Sequence, residues 1–421
     1  MTRLGLIWAM ALVAPAAAIP NTVFGPIVEA ESPLNGSDLT DRVLAAVAED
    51  GELPGKWVAE GTVAGAEVSH LLARPRLFGR EVVILRAVRR DGALERVEAT
   101  FADAGSFFGY FDEKLPDGLT PRQQQAALQR RLKDRQREFA EQYAEALEGV
   151  REAVAAVADR KQPRTTRFGR TRALRAEPEE WRRDGLVLRL FAADQRLVRL
   201  TISPEAHTPG GWMDEERAEF DRGELASLLA GKVVKSEDGS VRIDGLEPVP
   251  QGYRPYCGLN TLAMAARHFG MHLDEDWMAA AAGFRNTGSA AGSNMVKLYH
   301  AVAAEAGLSM ERSSRFDESA VRRALASGMP VIVWRRFSWE RNRLHDRVAA
   351  GRAELPDPSA AEEKASWPGE DAPLHASVLT GYDPQRGEVF FLESWGGRDR
   401  PRRMSFAEMA STAYLTFVFG G

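Results

Sequence analysis

The chain has 421 residues, of which 44% are hydrophobic and 27% are charged, and this balance excludes a disordered or fibrous protein. Its 55 basic and 60 acidic residues give a net charge of −5, so no nucleic-acid or anionic-membrane partner is indicated. The length exceeds what one ordinary hydrophobic core supports and predicts two or three domains.

Residues 1–18 have the pattern of a secretory signal peptide. Arg3 supplies the positive charge, residues 4–14 form a short apolar stretch, and residues 16–18 are three alanines suited to cleavage. The apolar stretch is too short to span a bilayer comfortably, and no other segment is long and apolar enough to do so. We therefore expect an exported protein, periplasmic or secreted, without an integral membrane segment after cleavage. A retained N-terminal anchor is the alternative.

Residues 19–245 are expected to form an N-terminal α+β domain of unknown role. A helical pattern begins near Asp41, and two β-hairpins follow, one around the Asp91-Gly92 turn and one over residues 186–202. Because the second hairpin lies about a hundred residues after the first, a diverged duplication is possible, and ordinary similarity between hairpins is the alternative.

The strongest helix signal lies between the two hairpins. Residues 120–123 read Thr-Pro-Arg-Gln, a helix start with a capping box, and apolar residues recur at helical spacing from Leu128 to Val157. We expect this helix to pack in a helical hairpin or across a sheet. A dimeric coiled coil is the alternative, so the oligomeric state is left open. Residues 162–178 are basic and predict an exposed loop.

The chain contains one cysteine, Cys257, which therefore has no intramolecular disulfide partner. In an exported chain such a thiol is either buried and inert or kept for its chemistry. Residues 258–269 have helical periodicity and Gly270 can end the helix, so Cys257 is predicted at a helix N-terminus, where the dipole favours a thiolate. Gln251 lies six residues upstream, and its amide together with the N–H of Cys257 can hold an oxyanion.

A histidine and a carboxylate suited to this cysteine occur far downstream. His375 opens a strand-like run, residues 387–392 read as its antiparallel neighbour, and Glu393 follows directly. In such a hairpin Glu393 can accept the imidazole N–H, and Trp395 can cover that bond. A thiol, a distant histidine and an orienting side chain are the parts of a cysteine acyl-transfer site.

The order of these motifs resembles the papain-like cysteine peptidases, and within them the bacteriocin-leader-processing branch and its secreted relatives. The matching segments are Val-Pro-Gln followed by Cys-Gly, Ala-Ser-Gly-Met-Pro-Val-Ile-Val at 326–333, and His-Ala-x-x-x-x-Gly-Tyr-Asp at 375–383. The resemblance covers the C-terminal domain, residues 246–421. It implies an α+β fold in which a helix with the cysteine at its N-terminus packs on an antiparallel sheet.

The resemblance also implies a role for each site residue. Cys257 is then the nucleophile, His375 the general base and acid, and Gln251 the oxyanion donor. The third member is usually Asn or Asp, whereas this chain has Glu393, one methylene longer than Asp, in the sequence Glu-Ser-Trp-Gly. Asp383, in a predicted turn, is the substitute candidate for that role.

The expected function is exported, thiol-dependent hydrolysis of peptide or isopeptide bonds in a peptide or protein substrate, with no metal or organic cofactor. Two alternatives remain: a non-catalytic binding or scaffold protein with a papain-like fold, and an acyl transferase that uses an amine at the same site. Residues 335–373 form a charged insertion, predicted as a lid or specificity loop, or else as a solvated loop in which His345 and Asp346 form a solvated pair.

Overall fold

The computed structural model describes most of the chain in seven stretches, residues 28–63, 65–108, 116–193, 195–251, 255–283, 292–395 and 400–420. Two large antiparallel sheets, each with its own helices and hydrophobic core, make up most of these residues. This architecture confirms the predicted α+β class. The predicted signal peptide lies outside the described stretches, and within them no helix has both the length and the hydropathy of a membrane span.

The N-terminal elements surround one large sheet. In chain order they are α1 (Thr40–Glu49), β1 (Trp57–Val63), β2 (Ala66–Leu71), β3 (Arg76–Leu77), β4 (Arg80–Glu81), β5 (Ile84–Arg90), β6 (Ala93–Asp103), α2 (Ala104–Phe108), α3 (Pro121–Val157), β7 (Arg164–Thr165), β8 (Glu179–Arg183), β9 (Leu186–Ala193) and β10 (Leu197–Pro204). The large sheet has the strand order β1-β2-β5-β6-β10-β9-β8-β7, and β3 pairs only with β4.

The two hairpins predicted from the turn signals are β5–β6 and β9–β10. Asp91 and Gly92 connect β5 to β6 with φ angles of 51° and 86°, the left-handed conformation that tight hairpin turns require. Strands β6 and β10 pair antiparallel, so the two hairpins lie side by side at the centre of the sheet. A duplication of this unit stays a prediction.

Helix α3 has 37 residues and begins with the predicted capping box between Thr120 and Gln123. Its described side chains are mostly exposed in the first half, whereas Phe139, Val150 and Val154 in the second half are buried in the core of the N-terminal sheet. The helix therefore packs across a sheet, one of the two arrangements expected from its single apolar face.

The C-terminal elements surround the second large sheet. In chain order they are α4 (Glu215–Ala218), α5 (Arg222–Gly231), β11 (Val233–Lys235), β12 (Val241–Ile243), α6 (Cys257–His268), α7 (Glu275–Ala281), α8 (Gly292–Glu305), β13 (Ser309–Ser313), α9 (Glu318–Ala326), β14 (Val331–Arg336), α10 (Trp339–Ala349), α11 (Ala361–Ala365), β15 (Leu374–Asp383), β16 (Glu388–Leu392), β17 (Arg402–Ser405), α12 (Phe406–Thr412) and β18 (Ala413–Gly420). The strand order is β11-β12-β15-β14-β18-β13, with β16 pairing with both β15 and β17.

Strands β11 and β12 precede the predicted domain boundary at residue 245, yet they belong to the C-terminal sheet. Helix α5 adds Leu225 and Leu229 to the same hydrophobic core as Leu262 of α6. The boundary stays a prediction, and this packing favours an earlier one.

Charged groups connect the two halves of the chain. Arg199 on β10 donates hydrogen bonds to Asp274 and, at 3.1 Å, to Asp276 of α7. The carboxylate of Glu305, at the end of α8, accepts hydrogen bonds from the backbone N–H groups of Arg170 at 2.8 Å and Thr171 at 3.0 Å. The N-terminal sheet and the basic segment that precedes β8 are thereby fixed to helices of the C-terminal half. The expected exposed loop at residues 162–178 is only partly exposed, because Phe168, Leu174 and Ala176 are buried in the core of the C-terminal half.

The charged insertion contains helices α10 and α11 and is anchored by buried ion pairs. Arg341 lies between two carboxylates and donates to Glu408 at 2.6 Å and to Glu363 at 3.1 Å. His345, one helical turn further on, has its Nε2 3.0 Å from the same Glu408 carboxylate. The expected solvated histidine pair is wrong, because His345 is fully buried: its helix turns it toward the first turn of α12.

Candidate active site

Cys257 is the first residue of α6, at the end of a loop that leads out of the C-terminal sheet. Burial raises the pKa of the Cys257 thiol, but the hydrogen bond and positive charge of His375 and the backbone N–H groups of Ala376 and Gly258 outweigh burial and lower the pKa below its usual value. The cysteine is thus held at a helix N-terminus in surroundings that favour the thiolate.

His375 lies near the start of β15, between the thiol and a carboxylate. Its Nε2 donates to Glu393 Oε2 at 2.6 Å, so Nδ1 is the ring nitrogen available to Cys257. Burial opposes the charged ring, but the Glu393 carboxylate and the contact with Cys257 raise the pKa of His375 well above its ordinary value. The structure therefore favours an imidazolium beside a thiolate, the reactive form of such a pair.

Glu393 occupies the position of the third site member, directly after β16. Burial disfavours its charge, but the positive charges of His375 and Arg335 hold the pKa of this carboxyl well below its usual range. Asp383, the substitute candidate, is excluded: it lies at the far end of β15, roughly 25 Å along the strand from His375. There its carboxylate accepts hydrogen bonds from the backbone N–H groups of Gln385 and Arg386 in the turn.

Gln251 is buried in the loop before α6 and is oriented by Ser394. Its backbone N–H donates to Ser394 O at 2.6 Å, and Ser394 Oγ donates to the side-chain carbonyl oxygen. Because the carbonyl end is occupied in this way, the NH₂ group is the donor end of the amide, as an oxyanion site requires. Asn260 on α6 fixes this loop by donating to the carbonyl oxygens of Val249 and Pro250 at 3.2 and 3.0 Å.

Aromatic side chains cover the bond between His375 and Glu393. The Trp395 indole stacks on the His375 ring with centroids 4.3 Å apart and planes 22° apart, and Phe337 contacts the same ring at 5.3 Å. Trp339 continues this cover, with its ring centroid 5.1 Å from that of Trp395, and remains 53% exposed. Trp395 thus occupies the shielding position predicted for it, and the insertion adds a second tryptophan.

Two residues that sequence reasoning missed complete the surroundings of Glu393. Arg335 Nη2 donates to Glu393 Oε1 at 2.6 Å, and Ser377 Oγ lies 3.1 Å from both carboxylate oxygens. His375 and Ser377 share one face of β15, and Arg335 is paired with His375 in the register of β14 against β15. The one sequence signal for it is an arginine directly after the apolar run 331–334, which places a charged residue at the end of a buried strand.

A cysteine on a helix N-terminus, a histidine on an antiparallel strand and a glutamine on the incoming loop form the arrangement expected of a papain-like cysteine peptidase domain. Residues 243–419 match the Peptidase_C39 like family, and this match supports a C-terminal domain of the type that the sequence resemblance implied. Within the described stretches, no group of three or more His, Cys, Asp or Glu side chains is arranged to hold a metal ion.

The match to a solved structure is weaker. The chain is similar to a putative C39-like peptidase from Bacillus anthracis at 14% identity, with a TM-score of 0.28, over 42% of this chain and 97% of that one. No curated protein matches the chain.

Proposed function

We propose that the protein is an exported cysteine peptidase that hydrolyses peptide or isopeptide bonds in a peptide or protein substrate. The observation that carries the proposal is the hydrogen-bonded series from the half-buried Cys257 through the buried His375 to the buried Glu393. The match of residues 243–419 to a peptidase-like family supports the same class of reaction.

The reaction proceeds through an acyl-enzyme. The Cys257 thiolate attacks the substrate carbonyl carbon, and the backbone N–H of Cys257 and the amide of Gln251 stabilise the oxyanion. The His375 imidazolium then gives its proton to the leaving amine as the carbon–nitrogen bond breaks. In the second half, His375 takes a proton from water, whose oxygen displaces the thiolate and releases the carboxylic acid. Glu393 keeps the imidazole ring oriented through both halves.

Peptide cleavage is tested without a known substrate by using a complex mixture of peptides from a denatured proteome. Wild-type protein is expected to generate new peptide termini, detected by mass spectrometry, that are absent with Cys257→Ala and with His375→Ala. The matched control is His272→Ala, a half-exposed histidine that pairs with Asp214 instead, and it is expected to leave cleavage unchanged.

The same experiment separates the alternatives. An acyl transferase would join the acyl group to an added primary amine as an amide, whereas hydrolysis leaves a free carboxylate. More amide products than carboxylate products would therefore indicate a transferase. If Cys257 is alkylated rapidly but neither new termini nor amine adducts form, the peptidase proposal is wrong and a binding or scaffold role is favoured.

Export is tested separately from catalysis. The proposal is supported by the signal-peptide pattern of residues 1–18. N-terminal sequencing of the protein from an expressing cell is expected to find a mature chain beginning near Ile19, outside the cytoplasm. Leu12→Arg, which places a charge in the apolar stretch, is expected to retain the uncleaved chain in the cytoplasm. An intact N-terminus on cytoplasmic wild-type protein would contradict export.

A further inference from the structure

Glu393 places a buried charge at the position where the resemblance implies Asn or Asp. Its side chain is 0% exposed, and the guanidinium that contacts it belongs to Arg335, whose side chain is 2% exposed. A buried carboxylate without a cationic partner is unfavourable by several kcal/mol. The surroundings of Glu393 therefore determine whether it can remain charged beside His375.

We propose that Arg335 is a positioning residue of the active site: it neutralises Glu393 and, together with Ser377, holds the carboxylate in the orientation that pairs with His375. The inference rests on the proposed function in one respect, the pairing of Cys257 with His375. It goes beyond that function by adding Arg335 to the four side chains already assigned to the site, Cys257, His375, Glu393 and Gln251.

Each carboxylate oxygen of Glu393 accepts a hydrogen bond from a different charged side chain. Oε1 accepts from Arg335 Nη2 and Oε2 from His375 Nε2, each at 2.6 Å, while Ser377 Oγ is 3.1 Å from both oxygens. Arg335 Nε also donates to Ser377 Oγ at 2.9 Å. A glutamate side chain has one more rotatable bond than aspartate, and the planar fork of an arginine restricts that freedom by binding in a fixed geometry.

Arg335 is itself held firmly. It is the register partner of His375 in the pairing of β14 with β15, so the backbone ladder sets the separation of the two residues. Its guanidinium carbon lies 5.2 Å from the ring centroid of Phe391 and 5.7 Å from that of Phe337. The two rings and the carboxylate thus hold the guanidinium in one place.

The charges of the site then sum to zero. Thiolate, imidazolium, carboxylate and guanidinium cancel, as thiolate and imidazolium do beside a neutral amide. Further titratable or charged groups face the cluster: Arg402 acts on Glu393, His345 is near Arg335, and both Tyr414 and Tyr299 are near Cys257. Arg335 differs from them because it is hydrogen-bonded to the carboxylate itself.

The test needs no substrate. The rate of Cys257 alkylation by iodoacetamide is measured against pH in wild type, Arg335→Met, Glu393→Gln and the double variant. Two titration steps are expected in wild type, one for thiolate formation and, at higher pH, one for loss of the imidazolium proton. Arg335→Met is expected to move the upper step to higher pH by about one unit, a tenfold change in proton affinity, because the unneutralised carboxylate holds the imidazolium more tightly.

Glu393→Gln is expected to move the upper step in the opposite direction, because Arg335 then repels the imidazolium without a carboxylate between them. The double variant, in which both charges are absent, is expected to return the step close to its wild-type position. Arg336→Met is the matched control: it removes the neighbouring charge on the other face of β14 and is expected to leave the step unchanged. A role confined to folding would lower thermal stability without these opposite shifts.

The outcomes are distinguishable. If the upper step stays in place in Arg335→Met, or moves in the same direction in both single variants, the positioning role is wrong while the Cys–His pair stands. If wild type shows only one step with an ordinary thiol pKa, the pair itself is absent, and both this inference and the proposed function fail. If Arg335→Met does not fold, Glu393→Gln and the double variant still decide the sign of the charge effect.

Discussion

Replacing Gln251 with alanine is expected to remove turnover while leaving the thiol reactive. The side-chain carbonyl of Gln251 accepts a hydrogen bond from Ser394, so the NH₂ end of the amide is the proposed oxyanion donor. Loss of one oxyanion donor costs about 10² to 10³ in kcat, or about 2.7–4 kcal/mol of transition-state stabilisation. Alkylation of Cys257 by iodoacetamide forms no oxyanion, so its rate is expected to stay within about twofold of wild type, since no stabilising group is lost.

The assay therefore measures two rates on the same protein: cleavage of a peptide identified in the proteome-derived mixture, and alkylation. Ser394→Ala is the matched control, because it removes the hydrogen bond that orients the amide but keeps the donor. One such hydrogen bond contributes about 1 kcal/mol, so kcat is expected to fall only about fivefold.

Two results would refute the assignment of Gln251. Cleavage that persists at the wild-type rate in Gln251→Ala means that the amide does not stabilise the oxyanion. A parallel loss of cleavage and alkylation means that the substitution disturbs the Cys–His pair, and that the role of the residue is structural. Only a loss confined to turnover agrees with the geometry.

Three further outcomes are expected from equilibrium unfolding. Arg341→Met removes the cation between two buried carboxylates and should cost about 3–5 kcal/mol, whereas Arg352→Met breaks an exposed 4.0 Å pair and should cost less than about 1 kcal/mol. Burial raises the pKa of Glu408, but hydrogen bonds from its imidazole and guanidinium partners outweigh burial and lower it from 4.5 to about 2. The charged Glu408 therefore stabilises the folded state fully above pH 4.5, and this contribution is lost as the pH falls toward 2. In Glu408→Gln the free energy of unfolding should depend less on pH over this acidic range. Gly381→Ala places a Cβ 2.3 Å from a backbone carbonyl and should cost about 1–3 kcal/mol, whereas Gly369→Ala meets nothing within 4 Å.

Each of these outcomes has a result that contradicts its reasoning. Equal losses for the two arginine variants would mean that the buried ion pairs do not stabilise the insertion. An unchanged acid limb in Glu408→Gln would mean that the carboxylate is not charged in the folded state. Equal effects of the two glycine substitutions would mean that the strand crowding at Gly381 relaxes without cost.

Local signals predicted the N-terminal elements correctly. The Asp91-Gly92 turn, the Thr120–Gln123 capping box and the apolar spacing of α3 each depend on residues close in sequence, and each appears in the structure where the pattern placed it. The pairing of β6 with β10 had no such signal, because it joins residues about a hundred positions apart.

The site residues were accessible to sequence reasoning for a different reason. Cys257, His375 and Gln251 lie in short motifs that resemble a known family, and Glu393 follows a predictable strand. The structure brings all four together, and Asp383, which the same motif contains, lies apart from them at the far end of its strand. The order of the motifs indicated which residue types come together. Only the strand register shows that Glu393, and not Asp383, is the partner of His375.

Buried charge was the feature that the sequence concealed. Arg335 and Glu393 are 58 positions apart, and His345 and Glu408 are 63 apart. In a sequence, an arginine or glutamate predicts an exposed side chain unless its partner is known. The charged composition of residues 335–373 therefore indicated a solvated loop, although Arg341 and His345 are buried.

These buried charges also bear on whether the insertion moves. It leaves β14 after Arg336, next to Arg335, whose guanidinium supports Glu393, and its first helix is held by Glu408 in the first turn of α12. Helix α12 leads into β18, which pairs with β14 again, so the insertion is fixed to the strand from which it departs. A lid must open at low cost, whereas lifting α10 would separate Arg341 and His345 from a buried carboxylate. The contacts thus favour a fixed wall beside His375, which presents Trp339 to solvent at a constant position, over a lid that opens and closes.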